Sequence, residues 1–123
     1  MKFLVAALLF LTLAGCASGP RLNTSHPSVN FDNRIQFVVL HYTATSLEGS
    51  LALLTKGQVS SHYLVEEDGS VYRLVAEERR AWHAGVACWR GQRDVNGRSI
   101  GIELVNPGHE FGYRDFPAPQ MAA

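Results

Sequence analysis

Four side chains in this sequence combine useful chemistry with a setting that could hold them still: His41, His62, His83 and Glu103. A neutral imidazole offers a lone pair to a divalent metal near neutral pH. A carboxylate flanked by apolar residues has its pKa raised toward the range used in general acid and base catalysis. His41 ends the run Phe37-Val38-Val39-Leu40 and is followed by Tyr42-Thr43-Ala44-Thr45. Packing behind such a strand end would fix its ring for metal binding or catalysis, although an ordinary hydrogen-bonded histidine fits the same pattern. His62, inside VSSHYLV, reads either as a packed strand residue or as a ligand. Trp82 and His83 precede Ala84-Gly85. There the backbone can approach a ligand beside a flat indole wall, or the segment can be a surface turn with Trp82 tucked into the core. Glu103 shares a strand face with Gly101 and Val105, where a charge is costly unless it is paired, hydrogen-bonded or at a cleft. A salt bridge to one of the seven arginines between Arg73 and Arg114 is the alternative to a catalytic role.

The elements that must position these groups are legible as an alternation of strands and one helix. Phe37–Leu40 is uniformly apolar and predicts a central strand buried on both faces, with His41 at its exit. Ser46 is a candidate N-cap, Glu48 lies in the first turn and Gly57 follows the last residue of the predicted helix. Leu47, Leu51 and Leu54 make its packing face. Val59–Val65 and Val71–Val75 read as an antiparallel pair joined by a turn containing Asp68-Gly69. Residues 86–98 lack periodicity and predict a long connection of the kind that rims a cleft. Ser99–Val105 is the third clear strand, with Ile100, Ile102 and Leu104 on one face. The chain becomes loop-like after Asn106-Pro107-Gly108, and a helix is starting near Pro117.

The 123 residues suit one domain at most. Residues 1–15 form a signal peptide, with Lys2 ahead of an apolar core too short to span a bilayer. Leu13-Ala14-Gly15-Cys16 resembles the lipobox of bacterial lipoproteins. The resemblance implies lipidation of Cys16 and, with Ala17 after it, anchoring at the periplasmic face of the outer membrane. Residues 16–33 read as a flexible tether in which His26 has no assigned role, and residues 34–123 as the domain. Without residues 1–15, ten basic and eleven acidic residues remain, a net charge of about −1 with no basic patch that would suit nucleic acid. With Cys16 acylated, Cys88 is a lone thiol, read as a small buried or half-buried residue or else a reactive one.

Taken together, HYTAT at 41–45, VSSHYLVEEDGSVYRLV at 59–75, AWHAG at 81–85 and SIGIELVN at 99–106 resemble the zinc-dependent N-acetylmuramoyl-L-alanine amidases of the type 2 family. The lipobox points to their lipoprotein branch. The similarity runs from about Asn33 to Gln120. It implies an α/β fold, peptidoglycan-recognition-like, with a central mixed β-sheet flanked by helices. It also implies a Zn²⁺ held by two histidines and an Asp or Cys, and hydrolysis of the amide between the lactyl group of N-acetylmuramic acid and L-alanine of the stem peptide. On the matching positions His41 is the first zinc ligand, Glu103 the catalytic carboxylate, and Trp82 and His83 border the substrate cleft. The other two ligands belong to a segment beyond Gln120, after a further helix and strand, so the expectation is a C-terminally truncated amidase. Small variants of the fold use a tyrosine just before the position of His62; here it is Ser61, and that role is not carried over. The expected partners are peptidoglycan or muropeptides and, through the lipid, a membrane, with the protein a monomer. Two other readings stand beside the hydrolase: an inactive peptidoglycan-binding lipoprotein, and a local zinc site made of His41, His62 and His83 with Glu103 as base.

Overall fold

The computed structural model describes residues 23–123, so the expected signal peptide, Cys16 and the first part of the expected tether lie outside the described residues. Contacts divide the chain between Phe31 and Asp32, and every described helix and strand belongs to the unit Asp32–Ala123. In order these are β1 (Phe37–Tyr42), α1 (Leu47–Lys56), β2 (Tyr63–Val65), β3 (Val71–Arg73), α2 (Val95–Arg98), β4 (Ser99–Leu104) and α3 (Ala118–Ala122). The four strands form one mixed sheet in the order β1-β4-β2-β3. The β1–β4 and β4–β2 pairs are parallel and the β2–β3 pair antiparallel. The expected α/β fold around a mixed sheet is therefore what the chain adopts.

Helix α1 begins and ends where its capping residues require. The Ser46 hydroxyl accepts from the Gly49 N–H, and the Gly57 N–H donates to the Leu53 carbonyl at 3.0 Å. Leu54 is buried against Leu64 and Val105, while Leu47, Leu51, Tyr72 and Leu74 pack around that cluster. The β2–β3 hairpin closes at the expected turn, but its strands are shorter than the predicted 59–65 and 71–75, and His62 lies just before β2 and not within it. Glu66 N–H donates to the Ser70 carbonyl, and Gly69 takes φ +90°, a conformation open chiefly to glycine.

Three expectations need correction. β1 is not a central strand buried on both faces. It is an edge strand of the described sheet, and Val38 and Leu40 are 55% and 64% exposed while Phe37, Val39 and His41 are half-buried. A uniformly apolar run cannot reveal which of its faces is covered, because that depends on elements distant in sequence. His41 also lies within the strand, with Tyr42 its last residue. The connection 86–98 is not wholly irregular: Asp94 caps the short α2, its carboxylate accepting from the Gly97 N–H. Cys88, expected to be at least half-buried, is exposed. At the other end of the chain α3 forms where the helix was expected. The Gln120 side-chain amide donates to the carbonyls of Val65 and Val105, both at 3.0 Å, tying that helix to the ends of β2 and β4.

Candidate active site

Strand register brings the chemistry-bearing residues onto one face. His41 pairs with Glu103 across β1 and β4, and Glu103 pairs with Leu64 across β4 and β2. In-register neighbours point the same way, and residues two apart in a strand share a face. Val39, His41, Gly101, Glu103 and Leu64 therefore lie on one side of the sheet. His62 extends this arrangement from just before β2, its N–H donating to the Gly101 carbonyl at 3.0 Å.

His83 arrives from the loop before α2 and lies over Gly101. A Cβ added to Gly101 would come within 2.3 Å of its ring, so a glycine inside β4 makes the space that the imidazole fills. Asn96 fixes the loop, its side-chain oxygen accepting from the N–H groups of His83 and Ala84 at 3.0 and 2.9 Å. The His83 ring then makes two contacts. Its Nδ1 is 3.1 Å from His41 Nε2, and its Nε2 is 3.1 Å from the hydroxyl of buried Ser99.

His62 is fully buried beside this pair, 5.9 Å from His83 between ring centroids. Both of its nitrogens have partners. Nδ1 accepts from the Gly101 N–H at 3.0 Å, which places the proton on Nε2, and Nε2–H donates to the Arg79 carbonyl at 3.1 Å. With no lone pair free, His62 is a structural residue. The three histidines do meet, yet they do not make a metal site. Among the described residues no group of three or more His, Cys, Asp or Glu side chains is arranged to hold a metal ion.

Burial sets the electrostatics. Desolvation lowers the pKa of His41 and, with the nearby His41 and His62 rings, takes His83 down to about 4, so both rings are neutral at pH 7. Glu103 moves in the opposite direction. It is half-buried and lines a cleft of about 120 Å³ with Tyr42, Thr43, Ser50, Leu53, Leu54 and Val59, and burial raises its pKa to about 7. The alternative of an arginine salt bridge is not realised among the described residues, where the arginine ion pairs are Arg80–Asp94 and Arg114–Glu67.

His41 also lines an open groove of about 430 Å³ along β1, together with Ala84, Ala87, Cys88 and Trp89, so the 86–98 connection does rim a cleft. Trp82 is 61% exposed, not tucked into the core, and its backbone pairs with Ser60. No described hydrogen bond or ring contact joins its side chain to His41, His83 or Glu103. Sequence reading missed Ser99 and Asn96, whose positioning roles follow only from where the loop folds back. The signal for Gly101, a glycine inside a strand, was present but was read only as a neighbour of Glu103.

Residues 31–123 match the family model described as N-acetylmuramoyl-L-alanine amidase. The chain belongs to the type 2 N-acetylmuramoyl-L-alanine amidase family. Among curated relatives, this amidase-family chain is 45% identical to N-acetylmuramoyl-L-alanine amidase AmiD of Escherichia coli (strain K12), over 86% of this chain and 43% of the relative. It is 41% identical to 1,6-anhydro-N-acetylmuramyl-L-alanine amidase AmpD of Citrobacter freundii, over 54% of this chain and 35% of that protein. The fold superposes on E. coli AmiD in complex with anhydro-N-acetylmuramic acid-L-Ala-D-gamma-Glu-L-Lys with a TM-score of 0.73 and 39% identity, covering 83% of this chain and 44% of that one. It superposes on AmpDH3 of Pseudomonas aeruginosa with a TM-score of 0.74 and 36% identity, covering 82% and 46%. The chain thus spans less than half the length of these relatives.

Proposed function

We propose that this chain contributes a metal ligand and the acid–base carboxylate of a peptidoglycan amidase, hydrolysing the amide between the lactyl group of N-acetylmuramic acid and L-alanine of the stem peptide during cell-wall turnover. The observation that carries the reading is Glu103. It is a half-buried carboxyl without an ion pair among the described residues, raised to about 7, one strand from His41 on the same face. A group poised there accepts a proton from an attacking water and returns it to a leaving amine at neutral pH. Muropeptides as substrates are supported by the relatives whose structures hold an anhydromuramic peptide.

Zn²⁺ is the metal that the family resemblance implies. His41 suits it as one ligand, because its described hydrogen bond uses Nε2 and leaves Nδ1 unengaged. When bound, zinc lowers the pKa of a coordinated water and polarises a carbonyl. The chain's own part is to hold the His41 ring by packing and hydrogen bonding and to keep Glu103 partly dry. Trp82 remains a proposed substrate contact from the family pattern. The motif Leu13-Ala14-Gly15-Cys16 supports lipid attachment at Cys16, and with it the outer-membrane location. Mass spectrometry of the mature N-terminus checks that attachment, and a Cys16→Ser chain should lack it.

A second reading, glycopeptide binding without turnover, rests on the open groove of about 430 Å³ lined by His41, Ala84 and Trp89. One experiment separates the two. The purified chain is incubated with Zn²⁺ and anhydro-muropeptides, and free stem peptide is quantified by liquid chromatography with mass spectrometry beside a binding isotherm. Release that falls about 10²–10⁴-fold in Glu103→Gln supports the amidase. Binding with no release supports the second reading, and neither binding nor release defeats both.

A further inference from the structure

The direction of each hydrogen bond around His83 can be worked out from its far end. The Ser99 hydroxyl lies 2.6 Å from the Val95 carbonyl, an atom that can only accept, so the single hydroxyl proton points there. Ser99 Oγ must then accept from its other neighbour, which places a proton on His83 Nε2. A neutral imidazole with its proton on Nε2 has a lone pair on Nδ1. That lone pair faces His41 Nε2 at 3.1 Å, so His41 is the donor in this contact. The proton of His41 accordingly sits on Nε2 and its lone pair on Nδ1.

We propose that His83 is a positioning residue: with Ser99 and the Val95 carbonyl behind it, it holds His41 in the Nε2–H tautomer and so presents Nδ1 as the metal-binding nitrogen. This assigns His83 a place behind the metal ligand and not at the substrate. Metal-ligating histidines generally donate their second ring N–H to a protein acceptor, which fixes ring orientation and tautomer. Here the acceptor is itself an imidazole, which could equally act as a donor, and Ser99 removes that ambiguity. Gly101 is part of the device, since any side chain there would occupy the position of the His83 ring. Asn96 completes it by clamping the His83 backbone.

The purpose of the device rests on reading His41 as a metal ligand, but the tautomer does not, so the test uses metal-free protein. In long-range ¹H–¹⁵N correlation spectra of the labelled chain at pH 8 with chelator, His41 should show a protonated Nε2 and an unprotonated Nδ1. In His83→Phe the His41 signals should move to the averaged values of a mixed tautomer population. In His83→Asn, whose amide oxygen can stand near the position of Nδ1, they should return toward the parent. Ser99→Ala keeps the packing if the larger changes prevent folding, and should loosen the tautomer preference of both His83 and His41. A parent His41 protonated on Nδ1 overturns the proposal, as does a His41 tautomer unmoved by both His83→Phe and Ser99→Ala. A separate Zn²⁺ titration of the parent and His41→Ala reports on the ligand reading alone. Loss of zinc binding in His83→Phe of about 10- to 100-fold, restored in His83→Asn, is expected where both hold.

Discussion

Replacing Glu103 with glutamine should stabilise the metal-free chain at alkaline pH while leaving it unchanged in acid. Burial raises this carboxyl from 4.5 to about 7, so between those values the folded chain keeps a proton that the unfolded chain has released. Unfolding free energy changes with pH as protons bound in the unfolded state minus those bound in the folded state, which is negative here. Glu103 therefore lowers stability as pH rises from about 4.5 through 7, and its full cost is present above that window. At about 1.4 kcal/mol per pH unit the cost is at most roughly 3.5 kcal/mol. Because the group keeps part of its hydration, solvent screening reduces this to about 1–2 kcal/mol. His83 acts with the opposite sign. Its folded value of about 4 lies below the ordinary 6.5, so its contribution is lost as pH falls from 6.5 through 4. The two slopes oppose each other in the parent, and only the difference between Glu103→Gln and the parent isolates the carboxyl. Urea unfolding followed by far-UV circular dichroism, with chelator, at pH 4 to 8 measures that difference. It should be near zero at pH 4, rise through pH 5–7 and level off at about 1–2 kcal/mol, or roughly 5–10 °C in Tm for a domain of this size. A difference that is flat with pH, or a glutamine variant less stable than the parent at pH 8, would refute the reasoning.

The remaining predictions concern the parts that hold the site in place. Gly101→Ala places a methyl 2.3 Å from the His83 ring, whose two hydrogen bonds restrict its escape; a loss of about 1–3 kcal/mol is expected, with the His41 signals displaced in the same spectra. Gln120→Ala removes the donor shared by the Val65 and Val105 carbonyls and should cost about 1–3 kcal/mol, seen as a lower urea midpoint at unchanged m. Ser46→Ala removes the α1 cap and should cost about 1 kcal/mol without altering the His41 spectrum.

What could be read from sequence was what short-range periodicity and capping determine. The α1 boundaries follow from Ser46 and Gly57, its buried face from the leucine spacing, and the hairpin from Asp68-Gly69 between two apolar runs. The face shared by Gly101, Glu103 and Val105 follows from the two-residue period of a strand. The errors came from tertiary placement. Phe37–Leu40 has the composition of a central strand, but its exposure is decided by sheet order, with β4 inserted between β1 and β2. The site was legible as a set of residues and not as an arrangement. The family resemblance implied that His83 borders the substrate cleft, but nothing in the local sequence announces its partner. Its contact with His41 depends on a 42-residue separation closed by Asn96 and Gly101, and no local pattern encodes that.

Core and site are set by the same register. The face that carries Leu64 and Val105 under α1 also carries His41, Gly101 and Glu103, and a one-residue slip of β4 would turn Gly101, Glu103 and Val105 to the other side, away from His41 and Leu64. The polar end of this face survives burial because its imidazole contacts are accounted for: His62 by Gly101 and Arg79, His83 by Ser99 and His41. Glu103 is the exception, since it shares a cleft with Leu54 and has no cationic partner among the described residues. A protein selected for stability alone would place an uncharged side chain there. That this unpaired carboxyl is also the one whose pKa is brought to about 7 is what a carboxyl kept for proton transfer requires, because the desolvation that weakens the fold is the same desolvation that makes it a useful base.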